Sequence, residues 1–311
     1  MDTTGTTPES NFTAAAKSTI ALYSDLTTGN GRIQERDRRF KRITRKPQRY
    51  VLSALGSLVN RKSFASVETL CLFIGYPRSG HSLIGALLDA HPNAIIADEL
   101  DALKYVQAGF SRNQLFYLLL RGSRQSASAG RQRTGYSYHV PGQWQGRFEE
   151  LRVIGDKMGH ASAIRLGAFP SLFDTLANGF NVKIKFLHVM RNPYDVISTM
   201  ALRTKLSLAS SCDLFFSSAE AVELIKQRSG ETAVHDLRHE DFVANPKSAL
   251  KAICAFLNLK EDDDYFDACA RIVYQFPHKS RQKISWSPNL IDSVKQRMSR
   301  FSFLQDYSFD V

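Results

Sequence analysis

Residues 70–88 read LCLFIGYPRSGHSLIGALL, an apolar run followed by a glycine-containing loop and a second apolar segment with helical spacing. The first run suits a strand that is covered on both faces, as in a parallel sheet. A strand that passes through such a loop into a helix directs backbone N–H groups and the helix N-terminus at one place, which can bind phosphate or sulfate. The stretch therefore predicts an α/β fold with an anion site after its first strand.

The spacing of this loop is that of a phosphate-binding loop with one substitution. Gly75, Gly80 and Ser82 occupy the two glycine positions and the final hydroxyl position of the pattern G-x-x-x-x-G-K-[ST], but His81 replaces the lysine. Arg78 can supply the missing positive charge and a forked donor for anionic oxygens. A Mg²⁺-dependent phosphoryl-transfer site is thereby less favoured, and a tight turn without a ligand is the alternative.

The rest of the chain alternates in the same manner. Apolar runs at 151–154 and 182–189 are separated by segments with helical spacing, and the C-terminal third is mainly helical. This order predicts a doubly wound, mostly parallel sheet of the P-loop nucleotide-binding type with a helical C-terminal part. The segment 122–146 is rich in Ser, Gly, Gln and Arg and too long for an ordinary connection, so we expect it to be either mobile or a lid.

A second anion element follows the apolar run at 182–189. Residues 191–198 read RNPYDVIS, in which Arg191 stands at the end of a strand and Pro193 is placed to start a helix. An arginine at a strand end can bind a second anion. The alternative is that Arg191 pairs with a surface carboxylate and that Ser198 faces solvent.

The motifs at 76–82 (YPRSGHS), 87–92 (LLDAHP) and 191–198 resemble those of sulfotransferases that use 3′-phosphoadenosine 5′-phosphosulfate (PAPS), nearest to the tyrosylprotein and glycan branch. His81 departs from the threonine that is common in that family. By position, the resemblance assigns the 5′-phosphosulfate to Arg78, Ser79, Gly80, His81 and Ser82. It assigns the 3′-phosphate to Arg191 and Ser198.

Three weaker matches follow the same order along the chain. Lys157 ends the sequence GDK at 155–157, where the resemblance places a cation that reaches the sulfuryl group. Residues 239–246 (HEDFVANP) match a segment that is more often structural. The basic loop at 277–283 precedes Trp286, and the resemblance makes Ser280 and Arg281 further candidates for the 3′-phosphate.

Sulfuryl transfer needs in-line oxygens, positive charge near the leaving phosphate and a base for the proton of the acceptor. Arg78, Lys157 and the N–H groups of the loop can supply the charge, and the resemblance implies that no metal is required. The catalytic glutamate of the tyrosylprotein enzymes corresponds to Glu99. Asp98 and His81 are the alternative bases, and Glu99 could instead be a charge at a helix N-terminus.

The acceptor is predicted only by class. Residues 100–102 (LDA) lack the arginine by which the tyrosylprotein enzymes bind acidic peptides, so protein tyrosine is not favoured. The lid candidate carries cations and flat rings that suit a glycan or a small anionic molecule. These residues are Arg121, Arg124, Arg131, Arg133, Tyr136, Tyr138, His139 and Trp144.

The 311 residues include 41 Lys and Arg against 30 Asp and Glu, a formal charge of +11 that favours anionic partners. We expect a disordered tail at 1–30, a basic helical extension at 31–66, which is either a solvated face or a patch for an anionic surface, and a sulfotransferase-like α/β domain at 67–311. The four scattered cysteines indicate neither disulfides nor a zinc site, and we expect no signal peptide, no transmembrane segment and a cytoplasmic location.

Two other functions compete with sulfuryl transfer. A P-loop kinase or NTPase would use Asp156, at the end of an apolar strand, to bind Mg²⁺, although His81 in place of lysine argues against it. A non-catalytic polyanion-binding protein would use the basic segment at 32–46 instead, although the combination of Arg78, Glu99 and Lys157 speaks for catalysis.

Overall fold

The computed structural model describes residues 47–133, 135–204 and 206–310 of the chain. Its strands are β1 (Thr69–Gly75), β2 (Ala94–Ala97), β3 (Gln132–Arg133), β4 (Tyr136–Ser137), β5 (Val153–Asp156), β6 (Lys183–Met190) and β7 (Val234–Arg238). Five of them form one sheet in the order β2-β5-β1-β6-β7, in which all neighbours are parallel. Strands β3 and β4 form a separate antiparallel hairpin.

Helices precede, connect and follow the strands of the sheet. They are α1 (residues 47–59), α2 (Arg61–Ala65), α3 (His81–Leu88), α4 (Ala102–Gln107), α5 (Arg112–Ser128), α6 (Gly159–Ala168), α7 (Ser171–Phe180), α8 (Pro193–Arg203), α9 (Leu208–Ser229), α10 (His239–Ala244), α11 (Pro246–Leu257), α12 (Asp263–Arg271) and α13 (Pro288–Met298). None of the helices in the described ranges is long and apolar enough to cross a membrane.

The central strand β1 is buried along its whole length. Its side chains alternate between the two faces of the sheet, so that Leu70, Leu72 and Ile74 join the cluster formed with α5 and α6. Cys71 and Phe73 join the cluster formed with α3 and α11 on the other face. Burial on both faces explains why this strand is apolar at consecutive positions instead of alternating with polar residues.

The predicted fold class is confirmed, since the structure is a doubly wound parallel sheet with a helical C-terminal part. The predicted strands at 70–74 and 182–189 are present, and strand β5 begins at Val153, two residues after the start of the apolar run at 151–154. Strands β2 and β7 were not predicted, because β2 has only four residues and β7 is a half-polar strand at the sheet edge. The predicted division of the chain at 30 and 66 stays a prediction, because residues 1–46 lie outside the described ranges.

The segment at 122–146 is anchored to the end of α3 by one buried carboxylate. Asp89, at the end of α3, accepts hydrogen bonds from the Ser123 hydroxyl at 2.6 Å and from the Gly146 N–H at 2.8 Å, and pairs with Arg131. Burial raises the pKa of Asp89, and the neighbouring Arg131 opposes this shift. Helix α5 continues to Ser128, so the connection that follows is shorter than the sequence suggested. The segment is folded onto α3 at both of its ends.

Candidate active site

The carboxyl ends of all five sheet strands lie at one edge of the sheet, and each strand is followed there by polar residues. Because β2 and β5 lie on one side of β1 while β6 and β7 lie on the other, the crevice between these groups is where open α/β sheets bind ligands. The residues that follow the strands are the loop at 76–80 after β1, Asp98 and Glu99 after β2, Lys157 after β5, Arg191 after β6 and His239 after β7.

The loop after β1 has a backbone with positive φ at three positions. Gly75, Arg78 and Gly80 have φ values of 130°, 66° and 95°, in the region where glycine is favoured, and Arg78 is a non-glycine residue there. The Ser79 hydroxyl is buried and donates to the Tyr76 carbonyl at 3.1 Å, whereas the Arg78 side chain is exposed. The loop thus opens into helix α3 in the manner of an anion-binding junction.

The ring of His81 lies beneath the loop. Its Nε2 donates to the Ile74 carbonyl at 3.2 Å, and a Cβ at Gly159 would stand 2.4 Å from that nitrogen. Burial lowers the pKa of His81 to about 3, so the imidazole is neutral. Of the residues predicted for the loop, His81 therefore has its side chain packed against β1, and its backbone N–H remains at the start of α3.

Lys157 connects the loop with the acidic pair after β2. Its Nζ donates to Ser82 Oγ at 2.9 Å and contacts Asp98 Oδ1 at 2.6 Å and Glu99 Oε1 at 3.0 Å. The lysine side chain is only 3% exposed, whereas that of Glu99 is 43% exposed. A Cβ at Gly85 would lie 2.6 Å from Lys157 Cγ, so the absence of a side chain there makes room for the lysine stem. A cation, a hydroxyl and two carboxylates thus meet at one end of the crevice.

The backbone conformation around Glu99 fixes its position, in addition to its contact with Lys157. It has φ 57° and Asp101 has φ 61°, two left-handed residues in a short connection. The buried Asp156 accepts from the N–H groups of Leu100 at 3.0 Å and Ala102 at 2.7 Å, which fixes this connection at the end of β5. Both carboxylate oxygens of Asp156 are therefore engaged inside the protein, where burial raises its pKa to about 7.

Arg191 lies on the other side of the loop and is nearly buried. Its Nη1 donates to the Arg78 carbonyl at 3.2 Å, its Nη2 donates to the His278 carbonyl, and its Nε has no hydrogen-bond partner. Among the described residues, no carboxylate lies within ion-pair distance of this guanidinium. A buried cation with only carbonyl partners favours an anionic ligand.

The remaining residues predicted for the 3′-phosphate lie along helix α8. The Ser198 hydroxyl accepts from Trp286 Nε1 at 3.0 Å, and Ser280 Oγ accepts from the Thr199 hydroxyl at 2.9 Å. Arg281 forms a buried ion pair with Asp195 at 2.5 Å. The basic loop at 277–283 is thus folded against α8, and the guanidinium of Arg281 is paired with the Asp195 carboxylate.

A cluster of rings that the sequence did not predict as a group lies beside Arg191. His239 Nε2 lies 2.5 Å from the Tyr274 hydroxyl, Tyr274 stacks on His278, and the Tyr136 hydroxyl of the hairpin lies 3.2 Å from His278 Nε2. A Cβ at Gly80 would stand 2.3 Å from His239 Nδ1. Burial lowers the pKa of His239 to about 3, assisted by the Arg191 cation. The sequence signal for this cluster was the segment at 239–246, which we interpreted as structural.

A cavity of about 480 Å³ adjoins Glu99. It lies between the start of α1, the end of α5 and the hairpin, so it is formed partly by the segment predicted as a lid. Its charged and amide side chains are Arg49, Asp98, Glu99, Lys104, Gln125, Arg131 and Gln132. Within the described part of the chain, no group of three His, Cys, Asp or Glu residues is arranged to hold a metal ion.

No curated protein sequence matches the chain. Among solved structures, sulfotransferase STF9 from Mycobacterium avium is 11% identical over 99% of both chains, with a TM-score of 0.47. The sulfotransferase domain of the Synechococcus PCC 7002 olefin synthase is 17% identical over 73% of this chain and 83% of that one, with a TM-score of 0.43.

A mouse sulfotransferase complexed with 3′-phosphoadenosine 5′-phosphate (PAP) is 12% identical over 77% of this chain and 87% of its own, with a TM-score of 0.41. Likenesses at this level identify no substrate. A family model, described as the sulfotransferase family, matches residues 182–264. This range contains Arg191, Ser198 and His239 but not the loop after β1. This match confirms the resemblance through residues 182–264, which include the element at 191–198 and are similar to the sulfotransferase family.

Proposed function

We propose that this protein transfers a sulfuryl group from PAPS to a hydroxyl or amine of a glycan or small molecule. The observation that carries the proposal is Arg191, a nearly buried cation without a carboxylate partner among the described residues, on the far side of the loop from Lys157. Two cationic positions that flank one phosphate-binding loop suit a nucleotide with phosphates at both ends of its ribose. An ordinary nucleoside triphosphate carries no phosphate on the 3′ oxygen of its ribose.

Different residues would bind the two ends of the nucleotide. The loop N–H groups and the start of α3 would hold the 5′ phosphate end, while Arg191 would bind the 3′-phosphate. PAPS supplies an activated sulfuryl group and leaves as PAP. Lys157, between Ser82 and Glu99, would neutralise charge that develops on the transferred group and on the leaving oxygen, which needs no metal. Arg78 is exposed beside the loop and can close on the same oxygens.

Glu99 is proposed as the base that takes the proton from the acceptor. Its carboxylate has one oxygen on Lys157 and is 43% exposed toward the cavity, so an acceptor can approach it. Asp98 is more buried and contacts the same lysine, which suits a supporting charge better than a proton acceptor. His81 is turned toward the Ile74 carbonyl and is the weakest of the three candidates.

The cavity beside Glu99 supports the proposed class of acceptor. Lys104, Arg131 and the amides of Gln125 and Gln132 can hydrogen-bond the hydroxyl groups of a sugar or an anionic substituent. The Arg131 cation is already paired with Asp89, so Lys104 and Arg49 are the better ligands for an acidic group.

The test is calorimetric titration of the purified protein, without magnesium, with PAP, AMP, ADP and ATP. We expect PAP to bind best and the Arg191→Ala variant to lose about 10- to 150-fold in affinity for PAP, the value of one charge-assisted phosphate contact. Affinity for AMP, which lacks the 3′-phosphate, should not change. Arg203→Ala, an exposed arginine on α8, is the matched control. A preference for ATP that requires magnesium would overturn the proposal in favour of phosphoryl transfer.

Phosphoryl transfer is the second candidate, and the position of Asp156 disfavours it. A magnesium-binding aspartate needs a free carboxylate oxygen at the site, whereas both oxygens of Asp156 accept backbone N–H groups. Cytoplasmic location stays part of the proposal. Its support is that Cys71, Cys212, Cys254 and Cys269 are free and buried.

A further inference from the structure

Helix α1 carries its apolar side chains on the face that points away from the protein. Val51, Leu55, Leu58 and Val59 are spaced four, three and one residues apart, which places them on one side of a helix. They are 57%, 61%, 69% and 86% exposed. An apolar stripe of this kind normally faces the core, and its exposure indicates a surface that binds a partner.

The opposite face of α1 shows that this orientation is imposed by packing. Ser53 is fully buried, and its hydroxyl lies 3.4 Å from Gln114 Nε2 on α5. A Cβ at Gly56 would stand 2.2 Å from the ring of Tyr117, so the backbone of α1 rests directly on that ring. The small and polar residues of the helix therefore contact the protein, and a rotation that buried the leucines would lose this close fit.

The sequence around α1 has one sign of charge. No Asp or Glu occurs from residue 38 to residue 67, whereas nine Lys and Arg do. Six of these cations precede the helix directly, and Arg49, Arg61 and Lys62 lie at its two ends. An exposed apolar stripe flanked by cations is the pattern of a helix that lies in the interface of an anionic bilayer.

We propose that α1 binds the protein to an anionic lipid surface, with Val51, Leu55, Leu58 and Val59 entering the headgroup boundary. The helix lies flat on the bilayer because its other face is occupied by α5. A second copy of the chain fits the stripe less well, since two cationic segments would then face each other. A nucleic acid or a glycan would use the cations but not the apolar side chains.

The experiment measures flotation of the full chain with vesicles of phosphatidylcholine, alone or with about 30% phosphatidylserine. We expect binding to the phosphatidylserine vesicles only. The Leu55→Glu/Leu58→Glu variant should bind at least about tenfold more weakly, because it places carboxylates in the apolar stripe. Leu202→Glu, a leucine on α8 that is 49% exposed, is the matched control and should bind like the native protein. Salt should weaken binding.

Three results would overturn the proposal. One is an absence of binding to phosphatidylserine vesicles. Another is binding that is lost in salt but equal in the native and double-glutamate proteins, which would make the segment a general polyanion binder. The third is sedimentation of the native protein as a dimer that the double substitution dissociates, which would assign the stripe to a second copy. Circular dichroism and PAP titration of the variants show whether the fold is retained.

Discussion

The buried ion pair between Asp195 and Arg281 joins helix α8 to the basic loop beside Arg191. Arg281 Nη1 lies 2.5 Å from Asp195 Oδ2, and the Arg281 N–H donates to Asp195 Oδ1 at 2.9 Å. The two side chains are 3% and 5% exposed. We expect Asp195→Asn and Arg281→Met each to destabilise the protein, because each removes one charge of a buried pair.

The expected loss is about 3–5 kcal/mol for either single substitution. At about 1.4 kcal/mol for each factor of ten, this is about a 150- to 4000-fold change in the unfolding equilibrium. With an unfolding entropy of about 2.1 cal/mol/K per residue, the midpoint of thermal unfolding should fall by roughly 5–8 °C. The double variant contains neither charge and should lie within about 1–2 kcal/mol of the native protein.

The assay is urea unfolding of the native protein, the two single variants and the double variant. Asp213→Asn, which breaks an exposed pair with Arg297, is the matched control and should cost less than about 1 kcal/mol. Titration of the same variants with PAP then separates two roles of Arg281. If Arg281 positions the loop, the double variant recovers affinity together with stability. If Arg281 contacts the nucleotide, as the resemblance implies, the double variant should bind PAP as weakly as Arg281→Met does.

Single variants that lose no more stability than the Asp213→Asn control would refute a stabilising role of the pair. It is also refuted if the double variant loses the sum of the two single losses, since independent effects of that kind leave no interaction between the two side chains. Either result would mean that the buried pair does not hold the basic loop against α8.

Three further predictions follow from the site. Glu99→Gln should lower the rate of transfer by about 10²–10⁴-fold and leave affinity for PAP unchanged, as measured with labelled PAPS and calorimetry; equal rates would exclude Glu99 as the base. Gly80→Ala should weaken PAP binding, because the new Cβ meets the His239 ring in a backbone with φ 95°, whereas Gly179→Ala, with open space around it, should not. Burial raises the folded pKa of Asp156 to about 7, above its unfolded value near 4, so the stability it contributes is fully present below about pH 4 and is lost as the pH rises through 7. The free energy of unfolding in urea should fall by up to about 1.4 kcal/mol per pH unit between pH 5 and 7, a slope that Asp156→Asn removes, and an unchanged slope in the variant would contradict this assignment.

Local sequence patterns were enough to predict the frame of the fold. A continuous apolar run marks a strand that is buried on both faces, and the glycine spacing at 75 and 80 marks a tight junction with a helix, so β1, its loop and α3 follow from neighbouring residues alone. Strand β6 and the start of α8 at Pro193 were predictable for the same reason. Strands β2 and β7 were not, because a short strand and a half-polar edge strand have no distinctive period.

The sequence offered individual candidate residues for the site, but it did not predict the contacts between them. The sequence placed Lys157 and Glu99 near the loop only through the family resemblance, and it did not indicate that one lysine nitrogen would contact Ser82, Asp98 and Glu99. It also offered Arg281 as a phosphate ligand, whereas the structure pairs that side chain with Asp195. Partners such as these are more than fifty residues apart, and their distance depends on the order of strands.

What the sequence by itself determined is the α/β class, the tight loop between β1 and α3, and the sulfotransferase resemblance, since each rests on residues that are adjacent along the chain. Only the tertiary structure decided which carboxylates and cations meet, that His81 turns under the loop, and that α1 presents its leucines outward from Ser53 and Gly56. The physical reason is that side-chain pairing and burial are set by packing between distant segments, and a hydrophobic pattern marks an apolar face without showing whether it lies inside.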